Sequence, residues 1–466
     1  MCAQNVAFAK RTYAGQSSSI HADLNNDGRE DFVYADAAAG GFFVQLSTGN
    51  GTYAPPTKYP LPGDTHVGAI VFGDFNRDAK ADLILFAGDG NFYEYLNNGD
   101  GTFREQAAFL VSNNVVSAAV GDFNHDGRMD LAFLTGTTLN IWFGTGGNGF
   151  TVGPSTSVTN VDNMTVADFD GDGRADIAIA SLFPDDNIQV LYGDGTGHFP
   201  VTNSIHRPGD HLRFSAADVN GDGKMDLIAT AFYPAVPDHL SVYYGNASRT
   251  WAETQIPLQS CAYNNAGPTA VDMNGDGIND LVVPEINCDG SGVPNIDVLT
   301  RNSNGTYNPD QLIYSSSSSS LSFRDLTVLR ADRNTKPDLA LSQCTASPCI
   351  AASDYNLEVL LNTTVGKFPT CMPPNGYEGI HVCAPLADAT VASLVHFRVG
   401  AAGQIPMRKV EVWVDGHKVV EQLDGFSNYT FMDRSVTLAS GSHRVVIYAA
   451  GWDNWLEKTS FALTVK

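Results

Sequence analysis

Six short acidic loops hold the residues best placed to do chemistry. They begin at Asp23, Asp74, Asp122, Asp168, Asp218 and Asp272. Each has Asp at its first, fifth and ninth positions and Asn or Asp at its third. The fourth reads Asp168-Phe169-Asp170-Gly171-Asp172-Gly173-Arg174-Ala175-Asp176. Gly stands sixth except in the second loop, where Ala79 replaces it. Three or four side-chain oxygens crowded into nine residues call for a hard cation. Calcium takes about six to eight oxygens in a flexible shell and suits such a loop better than magnesium.

The first six positions look like an EF-hand loop, which also needs a Glu at position twelve and a helix on either side. Position twelve is Tyr34, Leu85, Phe133, Ile179, Ala229 and Val283, none of them a ligand. Each ninth-position Asp instead opens a short apolar run, such as Asp82-Leu83-Ile84-Leu85-Phe86 or Asp176-Ile177-Ala178-Ile179-Ala180. Runs of that length and β-branched content read as buried strands. The loops therefore join strands, and the EF-hand is rejected.

Stepping from loop to loop, the first Asp recurs at intervals of 51, 48, 46, 50, 54 and 60 residues, the last counted to a degenerate copy at Asp332. A period near fifty with strand content indicates one propeller blade per repeat. A second signature runs in phase with the first. The turn from Leu96 to Phe103, Leu-Asn-Asn-Gly-Asp-Gly-Thr-Phe, has counterparts at Leu46 to Tyr53, Tyr192 to Phe199, Thr300 to Tyr307 and Leu361 to Phe368. Glycine allows the positive φ of a tight turn and the aromatic opens the next strand. In the second repeat the four strands are expected over Val67 to Phe75, Asp82 to Ala87, Phe92 to Leu96 and Phe103 to Val111.

Loops and turns together resemble the FG-GAP/VCBS family of seven-bladed β-propellers, also seen in integrin α-subunit heads and some fungal lectins. The resemblance spans about residues 5–370. It implies calcium ligands at the side chains of positions one, three, five and nine and at the backbone carbonyl of position seven. Those are Asp23, Asn25, Asp27, Arg29 and Asp31; Asp74, Asn76, Asp78, Lys80 and Asp82; Asp122, Asn124, Asp126, Arg128 and Asp130. The remaining three sets are Asp168, Asp170, Asp172, Arg174 and Asp176; Asp218, Asn220, Asp222, Lys224 and Asp226; Asp272, Asn274, Asp276, Ile278 and Asp280. About six calcium ions are implied, and a structural role is favoured because near-identical sites point to architecture rather than to one active centre. The seventh loop, Asp332-Arg333-Asn334-Thr335-Lys336-Pro337-Asp338, is shorter and has Lys336 in place of the central acid. No calcium is expected there. Because the seventh repeat lacks sequence for a fourth strand, Val6 to Tyr13 is expected to supply it and close the ring, removing an exposed edge.

The chain has 466 residues and a formal net charge of −24. Six calcium ions would bring that to −12, still acidic, which argues against nucleic acid and anionic membrane as partners. No apolar run is long enough to cross a bilayer, so no membrane insertion is expected. The start, Met1-Cys2-Ala3-Gln4-Asn5, has no apolar h-region and reads as a mature or trimmed chain with an added Met. Cys2 could be an acylated first residue or a remnant of processing. A secreted or cell-surface location is expected, since weak calcium sites fill where the ion is millimolar. Cysteine placement agrees with it: Cys344 with Cys349, Cys371 with Cys383, and Cys261 with Cys288 are candidate disulfides, although spacing alone cannot prove the connectivity.

The loops stop before Ala384. Residues 371–383 form a linker bracketed by two cysteines, and residues 384–466 change pattern. Val395 to Val399, Val410 to Val414 and Arg444 to Tyr448 read as strands of a half-buried sheet, with a positive-φ hairpin turn at Asp415-Gly416. Strands at this spacing suit a β-sandwich. The segment resembles the bacterial Ig-like domains that end many secreted proteins. The expected fold is thus all-β: a seven-bladed propeller with calcium loops, followed by a small Ig-like β-sandwich.

No Gly-x-Ser-x-Gly elbow, His-Glu-x-x-His or phosphate-binding glycine loop is present. One region gathers candidate ligand-binding groups: Asp185 and Asp186, His206, Arg207 and His211, and Tyr233, Asp238 and His239. These segments should emerge on the face opposite the calcium turns. Aromatic faces stack on sugars, and His, Arg and Asp could serve proton abstraction from a uronic acid. Polar loops without any ligand would look the same. Three readings follow. The preferred one is a secreted binding or adhesion module for a glycan or cell-surface protein. The second is a polysaccharide lyase or hydrolase. The third is a structural subunit that self-assembles through the Ig-like domain.

Overall fold

The computed structural model describes every residue except 1–5, 15–18, 26, 28, 36–39, 63–66, 79, 112–114, 148, 160, 182–186, 207–209, 221, 223, 233–238, 259–260, 263–265, 287–292, 317–321, 330, 332–335, 345–354, 365–378, 403–406, 424–428 and 452–455. Among the described residues every regular element is a strand. The runs that follow the ninth Asp are buried along most of their length, and in Asp82–Ala87 and Asp176–Ser181 all six residues are buried. A strand buried on both faces needs an unbroken apolar run, and that is what the sequence supplies.

Up to Asn362 the described strands form seven antiparallel sheets of four or five strands, with a two-stranded ribbon, Ser47–Gly49 with Thr52–Tyr53, beside them. Sheet one holds Ser19–Ala22, Asp31–Ala35, Phe42–Gln45 and Thr57–Tyr59; sheet two holds Val67–Gly73, Asp82–Ala87, Asn91–Asn97 and Phe103–Leu110. Sheet three holds Val115–Gly121, Asp130–Thr135, Thr138–Gly144 and Phe150–Ser157. Sheet four holds Val161–Ala167, Asp176–Ser181, Asn187–Tyr192 and Val201–His206. Sheet five holds Asp210–Ala217, Asp226–Phe232, His239–Tyr244 and Ala252–Pro257. In sheet six, Cys261–Ala262 and Thr269–Val271 both pair with Asp280–Ile286, followed by Pro294–Leu299 and Gln311–Ser315. Sheet seven holds Ser322–Leu329, Asp338–Cys344 and Tyr355–Asn362, and its fourth strand is the N-terminal Phe8–Ala14, as the shortage of sequence at the end of the repeats requires. Thr12 donates its hydroxyl to Glu358 at 2.6 Å, and Lys10 lies 3.1 Å from the same carboxylate, fixing that register.

The first strands touch in series from sheet one to sheet seven. His21 on sheet one meets the Thr327 hydroxyl on sheet seven at 2.7 Å. The core is divided among the gaps between neighbouring sheets. Phe86 and Phe92 of sheet two pack with Phe133 and Leu139 of sheet three, and Phe32 of sheet one packs with Leu329, Leu357 and Val359 of sheet seven. Each fully buried Phe or Leu contributes roughly 1.5–3 kcal/mol by leaving water, so the seams between sheets hold the structure together.

Beyond residue 378 two sheets share one core. Gly379–Ala384, Leu394–Ala402 and Tyr429–Thr437 form the smaller. Thr390–Val391, Leu456–Val465, Gly441–Gly451, Met407–Val414 and His417–Leu423 form the larger. Val395, Phe397 and Val399 from one face Val410, Val412, Val445 and Ile447 from the other, the alternation expected of a sandwich. Asp415 and Gly416 both have positive φ, the backbone that a two-residue hairpin turn of this type needs.

Candidate cation loops and the opposite face

Each acidic loop leaves the first strand of its sheet and returns at the second. In all six, the backbone N–H of position five donates to the position-one carboxylate, from Asp27 on Asp23 at 3.0 Å to Asp276 on Asp272 at 3.1 Å. The same N–H reaches the position-three oxygen, as Asp27 does on Asn25 at 3.1 Å and Asp172 on Asp170 at 3.0 Å. The position-seven N–H, of Arg29, Lys80, Arg128, Arg174, Lys224 or Ile278, donates to the position-five carboxylate at 2.9–3.1 Å. Such local bonds are what Asp and Asn make in tight turns. They place successive oxygens around one centre. In loop two an oxygen from each of Asp74, Asp78 and Asp82 lies within 4.8 Å of the others, and Asp168, Asp170 and Asp176 do the same in loop four. The donors are all hard oxygens, the kind calcium takes.

Position nine does more than point inward. Asp82 accepts the Phe75 N–H on one oxygen at 3.2 Å and the Asn97 N–H, from the end of the third strand, on the other at 2.8 Å. Asp130 does this with Phe123 and Gly144, Asp176 with Phe169 and Gly193, and Asp280 with Met273 and Arg301. Asp31 and Asp226 repeat the pattern. All six carboxylates have no exposed surface. Burial, only partly offset by these N–H bonds, pushes Asp31, Asp82, Asp176 and Asp280 up to about 8 and Asp130 and Asp226 up to about 7. A divalent ion beside them would favour the charged form.

In the seventh loop, where residues 332–335 lie outside the described set, Asp338 still accepts the Ala331 and Asn362 N–H groups, each at 2.8 Å. Lys336 donates to the Thr364 carbonyl at 2.7 Å. The ninth-position clamp thus persists in a loop that lacks the acidic set. In loops one to five the position-seven cation lies over the outer oxygen of position five, as Arg29 does on Asp27 at 2.6 Å, Arg128 on Asp126 at 2.9 Å and Arg174 on Asp172 at 3.0 Å, while loop six has Ile278 there. Ala79, the substituted sixth position of loop two, lies outside the described residues.

Several features of these loops escape a reading of the sequence. The double role of position nine is one, because its second partner lies fourteen or more residues away. Arg249 is another: it reaches from the turn of sheet five to Asp170 at 2.6 Å. Its signal was the third-position Asp of loop four, where the other five loops have Asn. Away from the loops, Glu285, Asp297 and Asp310 also bring carboxyl oxygens within 4.8 Å of one another, and burial first, then the Asp310 charge, pushes Asp297 up to about 6.

The opposite face is only partly described. His206 is exposed and ends the outer strand of sheet four, opposite Asn187; His239 opens the third strand of sheet five, opposite Pro257. By strand order both lie at the ends of their sheets away from the acidic loops. The backbone of His211 lies in Asp210–Ala217, while its side chain and Asp185, Asp186, Arg207, Tyr233 and Asp238 fall outside the described residues. Cys344 and Cys383 are each disulfide-bonded. Cys349, Cys371 and Cys288 lie outside the described residues, as does the side chain of Cys261.

Repeated antiparallel sheets, mostly of four strands and in series, six of them with an acidic loop between their first and second strands, define a β-propeller. Residues 23–85, 84–133, 122–179 and 168–229 match the FG-GAP-like repeat, so the chain carries FG-GAP-like repeats through its first half. Among solved structures it is similar to BBS1N in complex with ARL6DN, at 15% identity and a TM-score of 0.52, over 78% of this chain and 98% of that one. It is also similar to an Agrocybe aegerita lectin, described as recognising non-reducing terminal N-acetylglucosamine, at 18% identity and a TM-score of 0.47, over 76% of this chain and 87% of that one. A third likeness is to the exotype rhamnogalacturonan lyase YesX, at 12% identity and a TM-score of 0.42, over 78% of this chain and 76% of that one. No curated protein matches the chain in sequence. Among the described residues, no helix is long and apolar enough to cross a membrane.

Proposed function

We propose that this is a secreted, calcium-stabilised seven-bladed propeller with an Ig-like C-terminal sandwich, and that it acts as a binding module for a glycan or cell-surface partner. The observation that carries the calcium reading is the oxygen cluster of Asp168, Asp170 and Asp176, held together by N–H bonds from the loop's own backbone. Side chains of positions one, three, five and nine would hold the ion, with the position-seven carbonyl. When bound, the ion neutralises buried carboxylates and ties the first strand to the second. Disulfides at Cys344 and Cys383 support an oxidising compartment, with Cys349 and Cys371 as the partners we assign.

Binding is assigned to the face away from the loops, where His206 and His239 lie at the ends of adjoining sheets, and the sequence next to them carries further imidazole, guanidinium, carboxylate and aromatic residues. The test is retention of the protein on a panel of soluble and insoluble polysaccharides, with calcium and with EDTA, assaying both bound protein and released sugar. Retention without release, lost in Tyr233→Ala or His211→Ala, is the expected result. Released unsaturated or reducing sugar would make the protein an enzyme, and no retention on any polymer would overturn the glycan reading. EDTA should lower the melting temperature reversibly; an unchanged melt would overturn the calcium reading.

A further inference from the structure

Two departures from the repeat meet across the seam between sheets four and five. On one side, Asp170 replaces the Asn found at position three of the other five loops, giving loop four an extra carboxylate. On the other, Arg249 stands where the turns of neighbouring sheets have glycine. Counting from the residue that clamps position nine, Gly245 matches Gly193. Arg249 therefore matches Gly197. It keeps the left-handed backbone of that glycine, with φ of +57° against +83°. A non-glycine residue held there costs of order 1 kcal/mol or more and persists when its surroundings demand it.

The surroundings are specific. Arg249 Nε donates to Asp170 Oδ2 at 2.6 Å, its Nη2 lies 3.7 Å from Asp172 Oδ2, and its guanidinium sits 4.7 Å from the centre of the Tyr192 ring. The Asp170 side chain is 4% exposed. Its other oxygen, Oδ1, remains turned into the loop and accepts the Asp172 N–H at 3.0 Å. Arg174, from the loop itself, covers Asp172 at 3.0 Å, as its counterparts do elsewhere. Arg249 is thus an additional positive charge matched to an additional negative one.

We propose that Arg249 is an internal counter-cation of loop four: it stabilises the metal-free loop and competes electrostatically with the divalent ion that the loop binds. The inference rests on the calcium reading above. A unit charge a few ångström from the ion in a partly exposed site changes cation affinity by roughly tenfold. By linkage, whatever Arg249 adds to the metal-free state it subtracts from the binding of the ion. The seam between sheets four and five is therefore coupled to cation occupancy.

Trp251 supplies the probe, since its ring packs edge-on to Phe169 of loop four at 5.7 Å. Terbium luminescence sensitised by Trp251, identified as the part lost in Trp251→Phe, reports this loop on the full chain, with calcium as competitor. Arg249→Gly restores the repeat residue and removes the strain; it should tighten terbium and calcium roughly tenfold and enlarge the rise in melting temperature on adding calcium. Asp170→Asn alone should weaken binding by a similar factor, and Asp170→Asn with Arg249→Gly should return it close to the parent. Unchanged or weaker binding in Arg249→Gly would overturn the proposal while leaving the calcium reading intact. Absence of terbium signal and of any calcium effect on melting in the parent would overturn both.

Discussion

The backbone N–H of Gly197 donates to the carbonyl oxygen of Phe123 at 2.8 Å, joining the turn of sheet four to the acidic loop of sheet three. Phe123 donates its own N–H to Asp130 at 2.9 Å. The second position of the loop is therefore gripped from both sides, by its own sheet and by the next. Gly101 does the same to Leu24 at 3.0 Å, and Gly51 to Ala331 at 3.1 Å, where sheet one meets sheet seven. The two sequence signatures of the repeat, acidic loop and glycine turn, are thus halves of one contact between sheets.

That contact leaves no room for a side chain. A Cβ on Gly197 would lie 2.6 Å from the Phe143 ring, at φ +83°. Gly197→Ala should combine backbone strain with a clash and destabilise the propeller by roughly 2–4 kcal/mol. Gly136, at φ +59° with nothing within 4 Å of its would-be Cβ, isolates the strain, and Gly136→Ala should cost only about 1 kcal/mol. Urea denaturation in saturating calcium would measure both. Equal losses would show that the turn does not bear on the neighbouring sheet.

The ninth-position Asp should matter without any metal. Asp338 clamps Ala331 and Asn362 in a loop whose central residue is Lys336. Asparagine can accept only one of those two bonds and turns an N–H toward the other donor. Asp338→Asn should therefore destabilise by roughly 2–3 kcal/mol, equally in calcium and in EDTA. Asp176→Asn should cost more in calcium than in EDTA, because it loses the clamp and a ligand together. Thermal melts of both variants in the two buffers decide this, and a calcium-dependent loss in Asp338→Asn would contradict it.

Much of this frame is legible in the sequence, and the limits have physical causes. The strand Asp82–Ala87 follows from its apolar run, bounded by Asp and by Gly88. The preceding strand ends at Gly73 rather than at Phe75, because the Phe75 N–H turns away to Asp82. In sheet three the Thr145 N–H closes on the Gly149 carbonyl at 3.0 Å, a turn of the repeat disguised by the order of its glycines. Arg249 lies 79 residues from Asp170, and no local pattern joins them. The opposite face is the least legible, since its loops follow no period.

Closure of the ring gives a prediction about the N-terminus. Removing residues 1–14 would bare the edge of Tyr355–Asn362 and leave Glu358, 2% exposed, without Thr12 and Lys10. A buried acid stripped of its partners and a free strand edge both disfavour the folded monomer. The truncated chain should aggregate, or melt well below the parent, by light scattering and calorimetry. A monomer of unchanged melting temperature would refute the closure.

Glu94 should make stability depend on pH. It has no exposed surface, and neither of its carboxylate oxygens has a hydrogen-bond partner. The equivalent position in the other six sheets is Val44, Ile141, Val190, Val242, Val298 and Val359, all buried. Across the sheet it faces Ile84 and Ala107, and on its own strand it follows Phe92 in the core between sheets two and three. Burial raises its carboxyl from 4.5 to about 7, with only the Arg104 charge pulling downward. The folded chain therefore holds this proton where the unfolded chain releases it. Its neutral form is tolerated below pH 4.5; stability then falls as pH rises toward 7 and levels off above, a loss on the order of 2 kcal/mol. Glu94→Val should match the parent near pH 4.5 in this respect and gain on it steadily up to pH 7, with calcium saturating throughout so that the Asp loops cancel in the difference. Melting temperatures of the two proteins at stepped pH test this, and a gap that does not change with pH would contradict it.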